Sequence, residues 1–392
     1  MEKIVVVGAG LAGLRAAEEL RDLEFAGELT VVGEEEHAPY NRPPLSKQVL
    51  AGDMEPDDCL FGTDDDVDIT WRLGSPAKGL DIEERTVALD DGEELSYDGL
   101  VIATGRRARE WPDLPDLEGF HTLRTLDDSI ALRDKVAADS PRVAIIGAGF
   151  IGCEVAATLR RRGLEEVALI DVAPYPMPVL GAQVGERAAQ LHTDEGVKLH
   201  LEAGVEGFEG SDRVEAVCLE DGTRVDADLV IIAIGSVANS DWLKDSGLEF
   251  EAGAVLCDAC CVAKGTTDVV AAGRHRRVAP PPRRRPHLDR ALEQRGGDGA
   301  RGGQEPPGRS RRADPLRPGA DLLVRPVLDL DQVGRPLRAR QRRVGGRGGP
   351  RAVEGDHRGP PRRRAGGRGD VEPEQGLHRL HEAAEEGAGG RG

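Results

Sequence analysis

The first apolar run of the chain, IVVV at residues 4–7, is short, wholly aliphatic and unbroken, and it leads straight into GAGLAG. A run of that length and composition predicts a strand buried on both faces. The following LRAAEELRDL carries apolar residues at helical spacing, and ELTVVG at 28–33 returns to a strand pattern before ending in EEE. The same order then recurs. RVAIIG leads into GAGFIG at 147–152, a helical segment runs to RRRG, and EEVALID closes on Asp171. Strand, glycine turn, helix, strand and acid, written twice, predict an α/β protein with two Rossmann-like dinucleotide-binding domains.

The glycines have distinct expected duties. Gly8 and Gly147 permit the tight turn, Gly10 and Gly149 let a pyrophosphate approach the backbone, and Gly13 and Gly152 let helix and strand pack closely. The purely structural alternative is a tight strand-to-helix turn with no ligand. Backbone N–H groups at the helix start would hold phosphates. About twenty residues on, an acid should meet a ribose, and Glu35, with Glu34 beside it, fills that place. Two such folds imply two dinucleotides, a flavin one and a nicotinamide one, because hydride passes between them. Asp171 would repel a 2′-phosphate and VAPYPM supplies no arginine for one, so NADH is expected over NADPH. The Arg160–Arg162 run argues the other way, but it reads as a solvated helix end.

Composition changes the picture at one point. The 392 residues suffice for two or three domains, and the net charge of −19 conceals a split. Residues 1–273 carry 24 basic and 55 acidic side chains, whereas residues 274–392 carry 28 and 16, all 28 being Arg. That second part contains no Lys, Ile, Phe, Tyr, Trp, Met, Cys, Asn or Thr. No apolar run reaches the roughly 18 residues of a membrane span. The opening is too short and Gly-rich for a signal peptide, and the six cysteines form no secreted framework, so a cytoplasmic, non-membrane protein is expected.

PYNRPPLSK (39–47), VIATG (101–105), GAGFIGCEVA (147–156) and IIAIGSVANSDWL (231–243) together resemble the FAD-dependent ferredoxin and rubredoxin reductases that supply oxygenases, a group to which the apoptosis-inducing-factor proteins are related. The resemblance spans residues 1–273. It implies an FAD domain split over 1–110 and 240–273, with an NAD domain inserted at 111–239. It places Arg42 and Lys47 beside the flavin, Glu154 near the nicotinamide, Thr104 and Gly105 at the FAD-side crossing between domains, and Gly235 on the NAD side. A surface lysine and an ordinary first-turn helix acid are the plain alternatives for Lys47 and Glu154. Relatives in the wider superfamily carry a redox C-x-x-C beside the flavin or in the NAD domain; these regions here have none. Cys257, Cys260 and Cys261 are read as part of a strand and turn, with a redox or metal role as the alternative. The electrons would then leave singly for a ferredoxin or rubredoxin. An NADH oxidase or an apoptosis-inducing-factor-like NADH dehydrogenase is the competing enzyme.

After TTDVVAAG the resemblance expects an aspartate toward the flavin's ribityl chain, and the residue is Arg274. Codons for Arg274–Pro280, read one nucleotide later, can spell D-I-A-A-W-H, and 287–299 can likewise yield the E-H-W segment of the family. A reading-frame shift near Gly273 is therefore expected, with residues 274–392 not natively folded and FAD retention weakened. The competing reading is an Arg-Gly nucleic-acid-binding tail, although such segments usually interleave aromatics for stacking and this one has none.

Overall fold

The structure, a computed structural model, describes residues 1–62 and 68–278, which belong to one compact unit. Of the expectations placed on residues 274–392, those for 279–392 lie outside the described residues, while Arg276–Val278 form a short strand parallel to Ala254–Cys257.

Two five-stranded parallel sheets organise the unit. The first runs in the order 269–271, 99–102, 3–7, 28–32, 70–72. The second runs 198–200, 167–170, 143–146, 229–232, 120–121. The predicted strands form at the centres of these sheets: Val5 pairs with Thr30 on one side and Leu100 on the other, and Ile145 pairs with Leu169 and Ile231. Ile4, Val6, Ile145 and Leu169 are almost completely buried, which accounts for the unbroken apolar runs. Each sheet is accompanied by a three-stranded antiparallel one, 77–81 with 86–89 and 94–96 in the first half, and 205–210 with 214–219 and 224–226 in the second.

Helix α1 (Leu11–Asp22) follows the first strand, and Leu14, Ala16, Ala17 and Leu20 form its buried stripe. The short helix α2 (Gln48–Ala51) comes after a 3₁₀ turn at Pro43–Ser46. Helix α3 (Leu126–Asp139) starts from a capping box, in which Thr125 Oγ1 accepts from the Asp128 N–H at 3.1 Å and the Asp128 carboxylate accepts from the Thr125 N–H at 2.9 Å. Helix α4 (Phe150–Arg161) follows the second glycine turn, and α5 (Ala182–Asp194) packs beside the outer strand. One core cluster joins Leu45, Val49, Leu50 and Cys59 to Leu132, Val136, Val155 and Leu159. The RPPLSK segment is thus packed on helices α3 and α4, although sequence position groups it with the first sheet.

The glycine turns separate packing from access. A Cβ on Gly13 would collide with the carbonyl oxygen of Gly8, and one on Gly152 with that of Gly147. A Cβ on Gly10 or Gly149 meets nothing within 4 Å. Gly152→Ala should therefore cost the ligand-free protein about 1–3 kcal/mol by overpacking. Gly149→Ala, at φ −75°, should change the urea midpoint little. Equal midpoints for the two variants would contradict this division.

His121, His192 and His200 are held below the usual imidazole value of 6.5, burial being the leading cause for each. Each therefore takes up its proton at lower pH in the folded protein than in the unfolded chain, whose imidazoles protonate near 6.5. The linkage therefore favours the folded state above that pH and erodes it as the pH falls below. Urea midpoints should be lower at pH 5.5 than at pH 7.5, and His192→Gln should flatten that slope.

Candidate functional site

The two glycine turns are built alike. The Gly8 N–H donates to the Val32 carbonyl at 2.7 Å, and the Gly147 N–H to that of Ile170 at 2.8 Å. Gly8 and Gly147 take positive φ, +119° and +105°, because each crosses closely over a neighbouring strand end, at Ala103 and Ala233. Neither α1 nor α4 has a side chain capping its start, so the first N–H groups of both helices remain available. With open space at Gly10 and Gly149, this is a donor set and a cradle that fit the phosphates of a dinucleotide.

The two acids behave differently. Glu35 sits half-buried in the loop that follows the 28–32 strand. Its carboxylate accepts from the Tyr40 hydroxyl at 2.6 Å and from Arg42 Nη2 at 2.5 Å, while Glu34 stands exposed. Arg42 also donates to the Arg124 carbonyl at 2.7 Å, and the Tyr40 hydroxyl accepts from the Leu126 N–H at 3.0 Å. Burial, together with the carboxylate of Glu35, drives the Tyr40 phenol well above its ordinary range. Asp171 instead folds back: its oxygens accept from the Ala148 N–H at 2.5 Å and the Ala173 N–H at 2.8 Å, tying the strand end to the glycine turn. The Arg160–Arg162 run lies at the other end of α4. There Arg160 and Arg162 donate to the carbonyls of Glu195 and Leu50, and Arg161 pairs with Asp53. A 12-residue helix is about 18 Å long, which puts these guanidiniums far from the turn.

Lys47 and Glu154, 107 positions apart in the chain, meet. Lys47 Nζ lies 2.6 Å from Glu154 Oε2, and the buried Ser46 hydroxyl donates to the same oxygen at 2.5 Å. One turn along α4, the Thr158 hydroxyl donates to the Ser46 carbonyl at 2.8 Å. The side chains of Lys47 and Glu154 are 37% and 34% exposed, so the pair faces solvent that a ligand can displace. Ser46, Thr158, Tyr40 and Arg124 were not singled out from sequence. Ser46 lies inside the RPPLSK motif and Thr158 four residues beyond Glu154, but no sequence signal marks Arg124.

Thr104 and Gly105 lie where the chain passes from one sheet to the other. The strands 106–108 and 236–238 pair antiparallel there. Thr104 Oγ1 donates to the Asn239 carbonyl at 2.8 Å, and the Asn239 N–H donates to the Gly105 carbonyl at 3.1 Å. Gly235, at φ +99°, accepts from the Arg109 N–H at 3.0 Å. The Cys153 thiol, at the second turn, is pushed up to about 12 by burial and then by Asp171 and Glu154, and is therefore protonated at neutral pH. Burial, then Cys261, likewise lifts Cys257 to about 12, while Arg276 Nη1 donates to Cys261 Sγ at 2.8 Å. Among the described residues no three His, Cys, Asp or Glu side chains converge as a metal site.

Residues 2–289 match the model of the pyridine nucleotide-disulphide oxidoreductase family. The chain is 38% identical over 257 residues to the ferredoxin–NAD(+) reductase subunit of the benzene 1,2-dioxygenase system of Pseudomonas putida, covering 64% of this chain and 62% of that protein. It is 36% identical to putidaredoxin reductase of the same organism, covering 65% of this chain and 63% of that protein. The crystal structure of the covalent putidaredoxin reductase–putidaredoxin complex superposes with a TM-score of 0.67 at 33% identity, over 71% of this chain and 69% of that one. The chain thus matches less than two thirds of the length of these two reductases. With two glycine turns of one design and a family match over most of its length, the chain belongs to the pyridine nucleotide-disulphide oxidoreductases.

Proposed function

We propose that residues 1–273 are the nucleotide-binding body of an NADH-dependent, FAD-carrying ferredoxin reductase that serves an oxygenase through a 2Fe–2S ferredoxin. In this reading residues 1–110 and 240–273 hold FAD, and residues 111–239 hold NADH. The observation that carries it is the Lys47–Glu154 contact, which brings a cation from the first half and a carboxylate from the second to one solvent-facing point. The names of the relatives support a ferredoxin or rubredoxin as the acceptor. Among the described residues no helix is long and apolar enough to cross a membrane.

When bound, the two dinucleotides supply hydride transfer and single-electron delivery. The chain's part is to bind, orient and polarise. Gly10 and Gly149 admit phosphates to the helix N–H groups. Glu35, held from two sides by Tyr40 and Arg42, offers its oxygens to ribose hydroxyls, and Arg42, expected beside the flavin, instead keeps its positive charge at that carboxylate. Asp171 places a carboxylate at the second turn, where a 2′-phosphate would be repelled. Lys47 sets a positive charge where negative charge develops on reduction, and Glu154 orients the carboxamide of the incoming nicotinamide. A partly exposed ion pair contributes only about 0–1 kcal/mol, so Glu154 exchanges Lys47 for a ligand at little cost. Thr104, Gly105 and Gly235 hold the crossing that fixes one half against the other.

The full chain should bind NADH at least tenfold more tightly than NADPH, about 1.4 kcal/mol, read from nicotinamide fluorescence. Equal affinities would remove Asp171 from the assignment.

In FAD-loaded protein, Lys47→Met and Glu154→Gln should each slow the bleaching of yellow absorbance by NADH at least tenfold. Wild-type rates in both would end the proposed roles of this pair. Oxygen uptake that is fast and indifferent to added ferredoxin would point to an NADH oxidase instead.

A further inference from the structure

The strand Val269–Ala271 lies at the edge of the first sheet beside 99–102, which in turn borders 3–7. Its carboxyl end therefore emerges on the same side as the first glycine turn, where open α/β sheets take their ligands. Gly273 turns the chain there at φ +71°, and a Cβ built on it would stand 3.2 Å from the Cβ of Ala12, in the first turn of α1. Arg274 thus starts from backbone packed against the helix whose N–H groups lack a cap. Its side chain is exposed, and among the described residues it makes no hydrogen bond or ion pair. The next arginines are engaged: Arg276 with Cys261 at 2.8 Å and Arg277 with Glu251 at 3.1 Å.

Arg124, half-buried nearby, is held below the ordinary guanidinium range by burial, then by Arg42, then by Arg274. The three cations share one neighbourhood. Glu35 is already committed to Arg42 and Tyr40, and Arg124 donates Nε to the Arg106 carbonyl at 2.8 Å, which offsets no charge. Among the described residues three guanidiniums therefore share the single carboxylate of Glu35, which leaves a positive excess near the carboxyl end of the first sheet. A diphosphate carries charge of the opposite sign and comparable size, and planar guanidinium groups match its oxygens.

We propose that Arg274 is an anion-binding residue of the first glycine turn, supplying with Arg124 the cationic side of a site for the diphosphate of an adenine dinucleotide. This rests on the reading of that turn as a dinucleotide site. The site grips its ligand by charge at residue 274, where the resemblance to the ferredoxin reductases implies a carboxylate. Its affinity is accordingly salt-sensitive.

The test is calorimetric titration of the full chain with ADP, in a Gly149→Val background that closes the second turn. Arg274→Asp should weaken ADP binding at least fivefold, and Arg274→Gln by less. Raising NaCl from 50 to 500 mM should weaken the parent more than Arg274→Asp. Because Arg274 is exposed and makes no hydrogen bond or ion pair among the described residues, neither substitution disturbs packing there. Unchanged affinity in both variants overturns the proposal while leaving the site itself standing. A Gly10→Val variant in the same background should lose ADP altogether; if it binds as the parent does, the first turn is not a nucleotide site and the reading beneath the proposal fails as well.

Discussion

The packing of a backbone carbonyl against a bare Cα holds each half of the molecule together. Helix α1 can lie on its sheet only because Gly13 has no Cβ to strike the carbonyl of Gly8, and α4 repeats the arrangement with Gly152 and Gly147. That approach brings each helix start to the strand ends and leaves the N–H groups uncapped. It also brings Gly8 against Ala103 and Gly147 against Ala233, fixing where the neighbouring strand must end. The open faces at Gly10 and Gly149 follow as space between helix start and strand end that no protein atom fills.

The second constraint is the segment from Arg42 to Asp53, which lies along one face of α4. Glu154, Thr158 and Arg161, at helical spacing, meet Lys47 and Ser46, the Ser46 carbonyl, and Asp53 in turn. Leu45, Val49 and Leu50 share a core with α3 and α4. A motif belonging by sequence to the first nucleotide turn is therefore held rigidly against the second. The Lys47–Glu154 pair is weak by itself, and its position is set by buried neighbours rather than by its own attraction. Tyr40 acts similarly for Glu35, reaching from that carboxylate to the backbone of α3.

Arg42, Arg124 and Arg274 show how charge is arranged in an acidic chain. They come from three distant stretches, and among the described residues one carboxylate, Glu35, acts on both Arg42 and Arg124. The cations collect at the carboxyl edge of the first sheet, beside the helix start. Arg42 is held by Glu35 and by the Arg124 carbonyl, whereas Arg124 is held by the Arg106 carbonyl and Arg274 by the backbone turn at Gly273.

The pattern of apolar runs and glycines was enough to read both central strands of each sheet, helices α1 and α4, and the six turn glycines. These features are local: strand burial, helical period and absence of a side chain are each written within about thirty residues. The sequence also marked Lys47 and Glu154 separately, because each sits in a recognisable motif. It could not show that they touch, that Ser46 and Thr158 link them, or that Asp171 bends back on Ala148 while Glu35 reaches out to Arg42. Nor did it single out Arg124, a lone arginine in a loop. Those facts depend on which segments the two sheets bring together, and a one-dimensional pattern carries no record of contacts between residues a hundred positions apart.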